Sequence, residues 1–117
     1  MEPMPKEVLE MLAQRFKLLA NPARLSILQH ICSAEQTVSA LQDLTGLKQS
    51  HVSKQLSMLD AAGMVRRRTE GNRVWYTVAD ASLPRICEIV HASLSEHQSA
   101  VLQKLCAVRP ARRRKGK

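Results

Sequence analysis

Two clusters of polar and basic side chains carry most of the chemistry open to this chain. Gln49, Ser50, His51, Ser53 and Lys54 crowd into one short stretch, and Arg66, Arg67, Arg68, Asn72 and Arg73 into another shortly after it. A glutamine amide matches the donor–acceptor edge of adenine, a serine hydroxyl donates or accepts, and a lysine reaches guanine or a phosphate. Arginines neutralise phosphates or enter a narrow minor groove. The single Trp and single Tyr, Trp75 and Tyr76, follow the second cluster and are placed to anchor its base. With Thr37 and Lys48, these residues make a candidate set for binding double-stranded DNA: Thr37, Lys48, Gln49, Ser50, His51, Ser53, Lys54, Arg66, Arg67, Arg68, Asn72 and Arg73. The plain alternative is that the polar residues are a solvated face and the arginines an ordinary surface edge.

Periodicity says which elements hold these groups. Val8, Leu9, Leu12, Phe16 and Leu19 recur at helical spacing over residues 6–19. Asn21-Pro22 interrupts that pattern and restarts it, since Asn caps well and Pro suits a first helical position. The second helix, PARLSILQHIC, puts Leu25, Leu28, Ile31 and Cys32 on one side. Thr37 caps a short third helix that stops at Gly46. From Gln49 a fourth helix turns Val52, Leu56 and Leu59 inward, so the polar residues between them project elsewhere. Ala61-Ala62-Gly63 ends it. MVRRRT and RVWYTV, joined through Glu70-Gly71-Asn72, read as a hairpin with a glycine tip. A last helix runs from Leu83 to about Ala107. Its apolar residues (Leu83, Ile86, Cys87, Val90, Leu94, Val101, Leu102, Leu105) exceed what one small domain buries, and a partner chain is the simplest cover.

The remaining chemistry is sparse. Net charge is +8, but six of the 18 basic residues lie in the tail RPARRRKGK, leaving twelve against 10 acids in the rest. Charge alone therefore proves little, and Arg66 to Arg73 is the dense basic cluster of the domain. A chain of 117 residues with 44% hydrophobic and 3% aromatic residues fits one aliphatic core of packed helices. No stretch reaches the roughly 18 apolar residues of a membrane span, and the start lacks a signal-peptide layout. A soluble, cytoplasmic protein without membrane partners is expected. No Ser-His-Asp spacing, phosphate-cradling glycine loop or paired catalytic carboxylates are present, and 4 glycines leave little for a cofactor loop. Neither an enzyme nor a bound cofactor is expected. The three cysteines, Cys32, Cys87 and Cys106, are too scattered for a disulfide framework or a zinc knuckle.

The ordered set LLANPARLSIL, TVSALQDLTGLKQSHVSKQLSMLDAAGMV and RRRTEGNRVWYTV resembles the ArsR/SmtB family of winged-helix repressors, over residues 8 to 105 or so. That resemblance implies a mainly α fold with a small β-hairpin wing (α+β), in the order α-α-α-α-β-β-α. It implies a homodimer built through the first and last helices, bound to an inverted-repeat operator and released by an inducer. Residues 1–108 would then be the DNA-binding and dimerisation domain, and 109–117 a basic disordered tail. Two local departures, Lys48 where many relatives have a Ser or Thr cap and Gln55 where His is frequent, bear on operator preference. The inducer stays open between a thiol-reactive species and a metal ion. The cysteine pair that arsenic-responsive relatives carry in the third helix is absent from TVSALQDL. Of the family's zinc positions, Asp80 and Glu96 are carboxylates, but Ser82 and Ser93 stand where imidazoles are needed, so no metal site is expected. Cys32, Cys87 and Cys106 are candidate redox-sensing residues, with buried small hydrophobes as the alternative. A protein-interaction module reusing the same fold is the competing function. It is disfavoured because a protein interface usually exposes apolar anchors.

Overall fold

The computed structural model describes residues 1–108. Its elements run α1 (Lys6–Leu19), α2 (Pro22–Ser33), β1 (Gln36–Thr37), α3 (Val38–Thr45), α4 (Gln49–Ala61), β2 (Val65–Glu70), β3 (Arg73–Val78) and α5 (Ser82–Val108). By contact the chain divides into a first unit, Met1–Ala81, and a second that begins at Ser82. The expected basic tail, 109–117, lies outside the described residues.

The helices of the first unit start and stop where local chemistry dictates. The Asn21 side chain accepts a hydrogen bond from the Arg24 amide at 3.1 Å, and Thr37 does the same for Ala40 at 3.1 Å. Each satisfies one of the orphan amides of a helix start. Helix α3 ends at Gly46, whose φ of 77° places it in the left-handed region that glycine reaches without strain. Thr45 reinforces that end, donating its hydroxyl to Leu41 O at 2.6 Å and accepting from Leu47 N at 3.2 Å.

The core of this unit is aliphatic. Ile27, Leu28 and Ile31 of α2, Leu41 of α3, and Val52, Leu56 and Leu59 of α4 are buried together with Met64 and Val65. Each such side chain contributes about 1.5–3 kcal/mol through burial. The inward face of α2 is rotated from the expected one. Ile27 is buried, whereas Leu25 and Cys32 are exposed. The face centres on the Ile27-Leu28-Ile31 triplet, and Leu25 and Cys32 fall on its margins. On α1, only Leu19 of the expected stripe is buried, while Val8, Leu9 and Phe16 are exposed. Met11 is exposed as well.

The sheet has one strand more than expected. Two residues, Gln36 and Thr37, pair with Tyr76 and Trp75, giving the antiparallel order β1-β3-β2. A two-residue strand has no alternation to read, so periodicity could not reveal it. The hairpin itself follows expectation: Glu70 pairs with Arg73 across Gly71-Asn72. Gly71 has a φ of 63° while Asn72 does not enter positive φ, the pattern of a type II′ turn. At the other end Met64 is built into the base, its amide donating to Leu59 O and its carbonyl accepting from Ala79 N, both at 2.9 Å. The second unit is the long helix α5, which exposes Ile89, Val90, Leu94 and Val101.

Candidate nucleic-acid interface

Helix α4 has a sharp division of faces. Val52, Gln55, Leu56 and Leu59 are buried. Ser50, Lys54 and Ser57 are exposed and follow one another at offsets of four and three, so they form a single outward strip. Gln49 and His51 are exposed on the flanks of that strip, and Ser53 is half-buried. Ser57 was absent from the sequence-based candidates. Its signal was available, because the spacing that turns Val52, Leu56 and Leu59 inward also turns Ser57 outward with Lys54.

Lys48 occupies the cap position ahead of α4, with extended backbone at φ −71° and ψ 154° and no capping bond from its side chain. Its ammonium is thus left to solvent or a partner, at the end of a helix whose free amides attract anions. Thr37 has a different occupation: its hydroxyl oxygen caps α3.

Gln55, the second departure from the family pattern, is 5% exposed and faces the interior. Its Oε1 accepts a hydrogen bond from Arg24 Nε at 2.6 Å. Arg24 also donates to Leu18 O at 3.0 Å and to Met58 Sδ at 3.7 Å. This junction was not anticipated, because Arg24 and Gln55 lie 31 residues apart in sequence.

The wing separates its arginines by register. Arg68 lies opposite Trp75, and the next strand places Thr37 beside Trp75. The Arg68 guanidinium sits 5.7 Å from the Trp75 ring centroid, the range of a cation–π contact. It donates through Nε and Nη2 to both carboxylate oxygens of Glu35 at 2.8 Å, and through Nη1 to Glu70 at 2.8 Å. The hydrogen bonds from Arg68 hold the Glu35 carboxyl below its ordinary range, and the two carboxylates raise Arg68 further. Arg68 therefore straps β2 across β3 to the segment entering β1. Expected as a DNA contact, it is occupied by two carboxylates of its own chain. By contrast, Arg66, Arg67 and Arg73 are exposed and form no ion pair among the described residues, and Asn72 is exposed at the tip. Arg15 is also committed internally, bridging Asp80 at 2.7 Å.

The candidate sensing residues are less concentrated. Cys32 is exposed on α2 in the first unit, and Cys87 is half-buried on α5 in the second. The side chain of Cys106 lies outside the described residues. Among the described residues no group of three or more His, Cys, Asp and Glu side chains is placed to hold a metal ion.

A helix, a three-residue turn closed by a left-handed glycine, a second helix with a polar outer strip and a basic hairpin define a winged helix-turn-helix. The sequence profile described as "Bacterial regulatory protein, arsR family" matches residues 21–67. The chain is 36% identical over 99 residues to the HTH-type transcriptional regulator Rv0081 of Mycobacterium tuberculosis, covering 81% of this chain and 87% of that one. The crystal structure of Rv0081 superimposes with a TM-score of 0.73 at 30% identity, covering 84% and 99% of the two chains. A solution structure from Mycobacterium bovis, described as a homodimeric winged helix-turn-helix DNA-binding domain, gives a TM-score of 0.69 at 31% identity over 83% and 93%. The regulator Rv0324 of Mycobacterium tuberculosis is 33% identical over 80% of this chain, which spans 42% of that longer relative. The chain belongs to the ArsR family of bacterial transcriptional regulators, and is a regulator rather than an enzyme.

Proposed function

We propose that this regulator is a dimeric repressor that binds an inverted-repeat operator through α4 and the wing. The observation that carries the reading is the joint exposure, on one compact unit, of the Ser50-Lys54-Ser57 strip and of Arg66, Arg67 and Arg73, which form no ion pair among the described residues. Ser50, Lys54, Ser57, Gln49 and His51 would read base edges in the major groove, with Ser53 at the margin. Lys48, Arg66, Arg67, Arg73 and Asn72 would contact phosphates or the minor groove. Thr37 and Arg68 serve by holding α3 and the wing in position.

Dimerisation over residues 1–108 is supported by the apolar side chains that α1 and α5 each leave in solvent. Chromosomal DNA as partner implies action in the cytoplasm, and no described helix is long and apolar enough to cross a membrane. Release by an inducer belongs to the same proposal. Of the two inducer classes, exposed Cys32 supports thiol-reactive species, because a sensing thiol must be reachable. Serine replacement of Cys32, Cys87 and Cys106 tests this: a cysteine-free chain that still releases DNA on oxidant or sulfide treatment rules it out.

The operator reading is tested by selecting genomic fragments on the purified protein and measuring the recovered duplex against a shuffled one. Lys54→Ala and His51→Ala should reduce discrimination between the two. Arg67→Ala should weaken both and flatten the salt dependence. Unchanged binding in all three variants removes the assignment.

A further inference from the structure

The junction around Gln55 links the reading helix to α1. A buried amide needs partners, and Gln55, 5% exposed, finds its acceptor's partner in Arg24 rather than on its own helix. Arg24 lies in the first turn of α2, where Asn21 fixes its backbone amide. Its guanidinium is a rigid planar fork with several donors. One arm meets Gln55 and another meets Met58, three residues on along α4. A third meets the carbonyl of Leu18, one of the last-turn carbonyls that α1 cannot satisfy within itself. One side chain thus joins the end of α1, the start of α2 and the flank of α4.

We infer that Arg24 is a positioning residue for DNA recognition, setting the orientation of α4 against the end of α1 through Gln55. The inference rests on the reading of α4 as the helix that enters the groove. Because Gln55 and Met58 flank Lys54 and Ser57, a rotation of α4 that breaks the fork also turns the outward strip. A shift of α1, whose apolar side chains are exposed, reaches that strip by the same route. Lysine at position 24 keeps the charge but replaces the planar fork by a point donor, which cannot satisfy Gln55 and Leu18 with the same geometry.

The test uses the full chain, the duplex recovered from genomic selection and a shuffled duplex of equal length. Arg24→Lys should reduce affinity for the selected duplex by about tenfold. Affinity for the shuffled duplex and the salt slope should stay at the parent values. Gln55→Met, which preserves apolar volume and removes the acceptor, should do the same, and the double variant should add little to either. In the parent chain the Arg24 Nε–H resonance should shift with the selected duplex and not with the shuffled one, a readout that requires no folded variant. Equal losses on both duplexes, undiminished discrimination in a folded variant, or an unmoved Nε–H resonance would overturn the positioning role. A parent chain that binds the two duplexes equally would instead overturn the operator reading itself.

Discussion

Replacing Lys48 by Ser should make the protein more stable and a poorer DNA binder at once. Lys48 already has the extended backbone of a helix cap, and its carbonyl accepts the first helical bond from Val52 N at 3.0 Å. What it lacks is a side-chain acceptor. The two capped helices show the geometry a hydroxyl would adopt, since Asn21 and Thr37 each accept from the amide three residues on, at 3.1 Å. In Lys48→Ser the equivalent donor is the His51 amide. The new cap should contribute about 1 kcal/mol per chain, and removing a cation from the positive end of α4 should contribute about 0.3 kcal/mol more. For a domain near this size that corresponds to a melting temperature higher by roughly 4–8 °C. A dimer would lose two phosphate contacts, each worth about 0.9 in the slope of log K against log salt. The parent-to-variant affinity ratio should then shrink about twelvefold between roughly 50 and 200 mM salt. Thermal melts at fixed protein concentration and duplex titrations across salt measure both effects. A variant that melts lower, or keeps the parent's salt slope, refutes the assignment of Lys48 as an uncapped phosphate contact.

Three further outcomes follow from the same geometry. Arg68→Ala should change the salt slope less than Arg67→Ala, because Glu35 and Glu70 already neutralise Arg68. It should instead speed hydrogen exchange in β2 and β3, and equal slopes for the two variants would contradict the strap. The Glu35 carboxyl is held below its ordinary value by Arg68. Its contribution to the wing should therefore be full above about pH 4.3, the ordinary glutamate value. It should be lost as pH falls through the lowered one. Comparison of wing exchange in the parent and Glu35→Gln checks this, and a difference that persists in strong acid would sink it. Deleting residues 109–117 should lower affinity for the selected and shuffled duplexes alike while preserving their ratio, with a lower salt slope. A changed ratio would assign the tail a part in discrimination.

The helices and the hairpin were legible because each is written in local chemistry. Asn21-Pro22, Thr37 and Gly46 mark ends, and Val52, Leu56 and Leu59 mark a face. The features that escaped reading are those decided by residues far apart in the chain. Strand β1 exists because Gln36 and Thr37 meet β3, and two residues alone carry no pattern. Leu25 and Cys32 looked inward because the α2 stripe is broad, and packing selected Ile27 instead. At the site, Lys54 and Ser50 were recognisable as outward residues. Ser57 obeyed the same spacing, but it was lost in the apolar second half of the helix.

The run Arg66-Arg67-Arg68 shows why a basic cluster cannot be apportioned from sequence. Three identical side chains differ only in strand register and in what stands across the sheet. Arg68 meets Trp75 on β3 and Glu35 beyond it, so its charge is satisfied within the fold. Arg67 lies opposite Tyr76 and Arg66 opposite Thr77, and neither has a carboxylate partner among the described residues. Arg24 repeats the logic on the helical side, where a charge that could have faced DNA is turned inward to hold α4. Thus the arginines that meet carboxylate, amide and carbonyl acceptors become the frame, and those left without such acceptors among the described residues are the ones the proposed function assigns to DNA. Replacing one of the two carboxylate acceptors by an amide N–H and removing the charge, as Glu35→Gln does, should shift the balance between frame and contact without adding a single new basic residue.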